Sequence, residues 1–276
     1  MKEANKQNTK RSLLIKIFVI AIVLVALSLF LTYENNHLVI TEYIYTDDEI
    51  PDEMNGFCLV QISDLHNAVF GKNNAKLIEK IAECNPDIIV ITGDITDGVT
   101  HTNISKALNF AKQAVTICPV YYVTGNHEYY LNEDKRSQLV NGLIDLGVTV
   151  LDDSYVELFD GVRLIGLDDN SLSINFSPLT DPEAFNILLA HEPQKIKSYA
   201  RNNADLVFSG HAHGGQFILP VIGAVYAPDQ GLNPQYTEGL ITEGNTDMII
   251  SRGLGNSVFP FRLFNYPEIV CVRFAN

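Results

Sequence analysis

Short apolar runs recur along this chain, and five of them stop at an Asp, Asn or His. "FCLVQIS" (57–63) leads into Asp64 and His66, and "DIIVIT" (87–92) into Asp94. "PVYYVT" (119–124) leads into Asn126 and His127, "FNILLA" (185–190) into His191, and "ADLVFS" (204–209) into His211 and His213. Runs that are apolar on both alternating faces predict strands covered on both sides. "LVITEYIY" (38–45) and "VRLIGL" (162–167) read as two more. Between them, "NNAKLIEKIAEC", "NISKALNFAKQAV", "SQLVNGLIDLG" and "EPQKIKSYARNN" carry apolar residues at helical spacing. Strand and helix in alternation predict βαβ units and an α/β layered domain.

In open α/β sheets, sites form in the crevice at the carboxyl ends of the strands. Packing alone explains one or two polar residues there. It does not explain five such ends, with Gly93, Gly125 and Gly210 beside them to permit tight turns. A lone His-x-His pair such as "GHAH" decides nothing; its convergence with the other strand ends makes His211 and His213 ligands. Asp64, His66, Asp94, Asn126, His191, His211 and His213 make seven donors of mixed oxygen and nitrogen type. That is too many for one tetrahedral zinc site, and no sulfur is among them. If one carboxylate bridges, the seven fill two four-ligand sets, an arrangement for two metals roughly 3.5–4 Å apart. Mixed carboxylate and imidazole donors suit manganese, iron or zinc.

Charge separates the N-terminus from the rest. Residues 1–16 hold Lys2, Lys6, Lys10, Arg11 and Lys16 against Glu3 alone, a balance of +4, so the remainder carries −18 within a net charge of −14. An acidic body excludes nucleic acid as the main partner, because phosphate binding needs a basic face. The basic tip (1–12) leads into "IFVIAIVLVALSLFLTY" (17–33), a run without charge. Counted from Leu13 to Tyr33, this stretch is long enough to cross a hydrocarbon core. A cleaved signal peptide is the competing reading, but no small-x-small cleavage site follows before "YENNHL". A single-pass signal-anchor in the cell membrane is expected. The basic tip predicts a cytoplasmic N-terminus and an extracytoplasmic body. The chain from Tyr33 to Leu38 reads as a short extended tether, with one domain over 38–276. Cys58, Cys84, Cys118 and Cys271 lack CxxC spacing and lie in or beside apolar runs, which predicts buried thiols.

The order D-x-H, GD-x-x-D, GNH-E, a later lone His and GH-x-H resembles the calcineurin-like metallophosphoesterase superfamily. The blocks span Asp64 to His213. "GHAHGGQFILP" and "SRGLGNSVFPFRLFNYPEI" are similar to a membrane-associated branch that includes UDP-2,3-diacylglucosamine pyrophosphatase-like enzymes. The resemblance implies a layered β-sandwich flanked by helices, two metal ions, and hydrolysis of a phosphodiester or pyrophosphate. It assigns Asp64, His66 and His213 to one metal and Asn126, His191 and His211 to the other, with Asp94 bridging. Two such cations lower the pKa of the water between them, so hydroxide exists near neutral pH. His127, beside Asn126, is implied as the acid that protonates the leaving oxygen, with a hydrogen-bonding role as the alternative.

Asp97 reads as a turn, cap or supporting residue, and Asp168 as a turn. His37 and His101 read as solvated. Arg252, in "SRGLG", is poised between meeting a phosphate and pairing with an acidic neighbour. "FILPVIGAVY" (217–226) and "VFPFRLF" (258–264) are apolar but broken by Pro or Gly, so they are either edge packing or a lipid contact. The expected partners are a phosphoester substrate, lipid-linked on the favoured reading, and the membrane. The competing functions are a phosphatase or nucleotidase on soluble substrates, and a non-catalytic interaction module on the same fold. The module is disfavoured because no ligand position carries an apolar residue.

Overall fold

The computed structural model describes residues 2–99, 102–171, 175–257 and 259–275; His101 and Val258 therefore lie outside the described residues. Helix α1 (Lys2–Asn36) contains a segment, Lys10–Asn36, long and apolar enough to cross a membrane. Its apolar side chains, Leu14, Phe18 and Leu29 among them, are exposed. The helix runs through Asn36, so the stretch expected as an extended tether is helical and only His37 and Leu38 precede strand β1 (Val39–Thr46). Side chains of the last turns bond carbonyls one turn back: Thr32 Oγ1 to Ser28 O, Asn35 Nδ2 to Leu31 O and Asn36 Nδ2 to Thr32 O, at 2.7–2.8 Å.

Beyond it lie two six-stranded sheets among the described residues. The first contains β1, β2 (Cys58–Ile62), β3 (Ile88–Thr92), β4 (Val120–Val123) and β5 (Thr149–Val150). The second contains β6 (Ser154–Phe159), β7 (Val162–Gly166), β8 (Phe185–Leu189) and β9 (Leu206–Ser209). Two small hairpins follow, β10 (Ile218–Leu219) with β11 (Gly223–Ala224), and β12 (Tyr226–Ala227) with β13 (Gly231–Leu232). Strands β14 (Gly239–Glu243) and β15 (Thr246–Ile250) complete the second sheet, and β16 (Glu268–Ala275) returns to the first between β1 and β2. Strands β2 to β5 run parallel, as do β7, β8, β9 and β15.

The two-residue strand period divides the core. Leu59, Val90 and Val123 face inward and meet Leu164, Ile187 and Phe208 of the other sheet. Val60, Ile62, Ile89 and Ile91 face outward onto helices α2 (Ala75–Glu83), α3 (Ile104–Ala114) and α5 (Glu133–Asp145). On the far side, Ile165, Leu188 and Val207 cover Ile196 and Tyr199 of α6 (Ile196–Arg201). Every central strand is thus covered on both faces, which is why it carries an unbroken apolar run. The result is a sandwich flanked by helices, the architecture that the resemblance implied. Cys58, Cys84 and Cys271 are buried free thiols, as their settings predicted, whereas Cys118 is only half-buried.

Candidate metal centre

The five apolar runs that stop at polar residues end together. Strands β2, β3, β4, β8 and β9 finish at Ile62, Thr92, Val123, Leu189 and Ser209, and their next few residues converge. Ligand-type atoms of Asp64, His66, Asp94 and His213 lie within 4.8 Å of one another, as do those of Asp94, His191 and His211. Asp94 belongs to both groups. Asn126, first residue of the short helix α4 (Asn126–Tyr130), places Oδ1 3.1 Å from His191 Nε2 and 3.0 Å from His211 Nδ1. The structure therefore brings all seven predicted donors into one cluster. Gly93, at φ +89°, and Gly125 permit it: a Cβ on the first would sit 2.6 Å from His191 Nδ1, and on the second 2.4 Å from Asp94 Oδ1.

Spacing and chemistry fit cations. His66 Nε2 lies 3.1 Å from His213 Nε2 and 3.4 Å from Asp94 Oδ2, and His191 Nε2 lies 3.3 Å from the same oxygen. Ligand bonds of ~2.1 Å give polyhedron edges of ~3.0–3.4 Å, the same scale. Two buried imidazole nitrogens facing each other are satisfied when both lone pairs meet a cation. Ring orientation is set from behind. His191 Nδ1–H donates to Thr92 O (2.7 Å), leaving Nε2 free to coordinate. The Nε2 of His211 meets Asp229 Oδ2 at 2.9 Å, leaving Nδ1 for the cluster. Burial pushes His66 down to about 3 and His213 well below the ordinary imidazole range, favouring the neutral, coordinating form. Burial works against ionised Asp94, but the neighbouring histidines, His191 foremost, hold its carboxyl well below the usual range.

Five ligand-type residues adopt left-handed backbone: Asp64 (φ 50°), His66 (43°), Asp94 (53°), His211 (65°) and His213 (49°). Asp and His tolerate that region better than most residues, at a cost on the order of 1 kcal/mol each. The strain is held by surrounding bonds. Glu128, fully buried, accepts from Gly125 N (2.7 Å), Asp94 N (2.9 Å) and Thr96 N (3.3 Å), tying the β3 and β4 loops together. Burial raises its carboxyl to about 8, against the pull of those N–H groups.

His127 lines a cavity of ≈ 340 Å³ together with Asp94, Asn126, Tyr130, His211 and His213. Its backbone N–H donates to Asp94 Oδ1 (2.8 Å), its Nδ1 faces Asp97 Oδ1 (3.5 Å), and Ser257 Oγ lies 3.5 Å from Nε2. Asp97 Oδ1 accepts from Val99 N (2.9 Å), which shapes a turn, and that turn presents Gly98 N to His127 Nδ1 (3.4 Å). Asp168 accepts from Tyr129 OH and from Asn170 N, a turn arrangement. Arg252 pairs with Glu268 (3.0 Å) and Glu238 (3.5 Å), resolving it toward acidic neighbours. His37 is exposed and stacks on Tyr33, ring centroids 4.9 Å apart.

Sequence reading missed three residues at the cluster. Glu128 stood within the quoted GNHE string, where only its spacing to Gly125 and Asp94 hinted at a brace. Asp229 lies 18 residues from His211, and Arg262 49 residues from His213, whose Nδ1 it meets at 3.3 Å. Asp229 sits in no quoted motif, and Arg262, within "VFPFRLF", was hidden in a run read for its apolar residues.

A helix-flanked sandwich with a buried Asp/His cluster at its strand ends defines a metal-dependent hydrolase of phosphoester bonds. The chain belongs to the calcineurin-like phosphoesterase family, whose model matches residues 59–215 and whose members use two metal ions. It is 33% identical to the metallophosphoesterase YkuE of Bacillus subtilis (strain 168), over 83% of this chain and 82% of that protein. It is 26% identical to the phosphodiesterase YaeI of Escherichia coli (strain K12), over 79% and 82% respectively. It is 28% identical to a Danio rerio "transmembrane protein with metallophosphoesterase domain", over 80% of this chain and 54% of that one.

Proposed function

We propose that this chain is a membrane-anchored, dimetal phosphodiesterase or pyrophosphatase acting on a lipid-linked phosphoester outside the cytoplasm. One observation carries the chemistry: two donor groups share the carboxylate of Asp94 beside a cavity that His127 also lines. Asp64, His66 and His213 would hold one cation, Asn126, His191 and His211 the other, with Asp94 between. Manganese, iron and zinc all suit the donor set. Bound there, the cations supply Lewis acidity that lowers the pKa of water and offsets phosphoryl charge. The chain's own groups do the rest. Asp94 fixes the separation of the two donor groups and, through the His127 backbone N–H, the start of α4. His127 delivers a proton to the leaving oxygen from Nε2, since its Nδ1 accepts from Gly98 N (3.4 Å). Tyr130 receives a hydrogen bond from Asn126 Nδ2 (3.1 Å), fixing which amide atom faces the histidines.

The lipid reading is supported by the surface around the cavity. Ser257 and Asp97 border both the cavity and an adjoining groove of ≈ 720 Å³. Pro260 of that groove also borders a cleft along α1 lined by Leu24, Leu27 and Leu31. The apolar segments flagged in the sequence pack on each other, with Phe217 5.0 Å from Phe259, while Val221, Ile222 and Leu232 are exposed. A headgroup at the cavity and chains along α1 follow one continuous surface. Two measurements test the proposal. Metal-loaded protein should cleave bis(p-nitrophenyl) phosphate and, more efficiently, glycolipid pyrophosphate in vesicles; preference for soluble nucleotides or monoesters would replace the lipid reading. A cysteine in place of Glu49 should react with an impermeant thiol reagent on intact cells, and labelling only after lysis would reverse the orientation.

A further inference from the structure

Arg262 is fully buried, an expensive place for a guanidinium unless its donors are all used. They are used on one local set. Nε donates to Gly255 O (3.1 Å), Nη1 to Arg252 O (2.8 Å) and Asn265 Oδ1 (3.4 Å), and Nη2 to Gly255 O while meeting His213 Nδ1 at 3.3 Å. The carbonyls it grips belong to a segment that lies on the β2 loop: Leu254 N donates to Ser63 O (3.1 Å) and Gly255 N to Asp64 O (2.6 Å). Asn265 in turn donates to His213 O (2.7 Å). The side chain of Arg262 therefore braces Asp64 and His213, two members of one donor group. Among its described contacts it makes none to His191 or His211.

Its backbone is held from the opposite direction. Asn35, in the last turn of α1, accepts from Arg262 N (2.9 Å) and from Asn256 Nδ2 (3.0 Å), and its own Nδ2 reaches Arg262 O (3.4 Å). Phe30 and Tyr33 pack edge-on against Phe264 (5.8 Å) and Tyr266 (6.2 Å), so the helix end is seated on this loop as a unit. Asn35 is 227 residues from Arg262 in sequence, and the contact links the apolar helix to the cluster through one residue.

We propose that Asn35 and Arg262 form a strut by which the apolar N-terminal helix positions His213 and Asp64, making that helix a structural part of one metal site and not the other. The proposal rests on the dimetal reading above. It follows that a chain beginning at His37 loses the strut with its anchor, so truncation confounds membrane attachment with metal affinity.

The test uses the full chain in detergent micelles, with Mn²⁺ binding followed by electron paramagnetic resonance and turnover of bis(p-nitrophenyl) phosphate measured alongside. Wild-type protein should bind two ions. Asn35→Ala should weaken one of them about tenfold and leave the other unchanged, the scale of losing an outer support of a metal ligand. Arg262→Met should weaken the same ion further, and Arg262→Lys should fall between, because an ammonium lacks the planar fork. Asn36→Ala, one residue along and exposed, should match wild type. In a His191→Ala background, which leaves only the Asp64 group, Arg262→Met should abolish tight binding. Excess Mn²⁺ should restore turnover to Asn35→Ala. Equal weakening of both ions, or unchanged affinity in both Asn35→Ala and Arg262→Lys, overturns the strut. Wild-type protein binding fewer than two ions would instead overturn the dimetal reading beneath it. If Arg262→Met fails to fold, Asn35→Ala and Arg262→Lys still decide.

Discussion

The cavity has two unlike walls. One, contributed by residues 64–66, 94–97, 126–130, 191 and 211–213, hangs from the ends of buried central strands, and its donors are almost wholly buried. The other, to which Pro228 and Ser257 belong, is drawn from residues 217–232 and 251–257, where two-residue ladders and turns leave apolar side chains such as Val221, Ile222 and Leu232 in solvent. Position on a rigid sheet suits groups that must hold charges in place to within about half an ångström. A loosely laddered wall suits recognition, since it can vary without disturbing the strands. Chemistry should therefore respond sharply to change in the first wall, and substrate preference to change in the second.

The severest test of that division is Asp94→Asn. A neutral amide shared by two donor groups should lose both ions and several kcal/mol of transition-state stabilisation, about 10³-fold or more in turnover. Near-normal turnover with two bound ions would sink the bridging role. His127→Asn should keep both ions, by metal analysis, yet slow turnover about 10²-fold, most for substrates with poor leaving groups. If it sheds metal as completely as His211→Ala, the acid role fails. Asp229→Asn should weaken only the His191/His211 ion, by about tenfold, because an exposed partner orients His211 less firmly than a buried one would. Together with Arg262, which braces the other group, it makes the two ions separable by mutation. The smallest expected effects lie in and beside the second wall. Phe217→Ser and Phe259→Ser should raise KM for lipid in vesicles about fivefold, roughly 1 kcal/mol of lost apolar burial, and leave aryl phosphodiester hydrolysis unchanged. Equal effects on both substrates would mean those rings only support the fold.

Much of the first wall was legible because its signal is local. A strand buried on both faces must be apolar along its length, and a donor just past its end stands out against that run. Asp64, Asp94, Asn126, His191 and the His211/His213 pair all announced themselves this way. The ring-orienting partners did not. His191 is held by a backbone carbonyl, Thr92 O, which any residue supplies, and His211 by an aspartate in an unremarkable turn. The left-handed backbone at five ligand-type residues was invisible too, since Asp and His reach that region only when surrounding contacts compel it. Arg252 and Arg262, ten residues apart, show how little residue type says alone. One pairs with two carboxylates, buried Glu268 and exposed Glu238; the other is sealed in the interior with carbonyls.

By itself, then, the sequence determined the apolar helix at the N-terminus, the alternation of strand and helix, and the donors at five strand ends. Each follows from periodicity and residue chemistry within one continuous stretch of sequence. Only the tertiary structure decided that Glu128 ties two of the donor loops together, and that Asn35 of the N-terminal helix reaches across 227 residues to hold Arg262 beneath His213. Those are long-range contacts, set by how two sheets and a returning C-terminal segment pack. No local pattern encodes the distance between residues that meet only after the chain has closed.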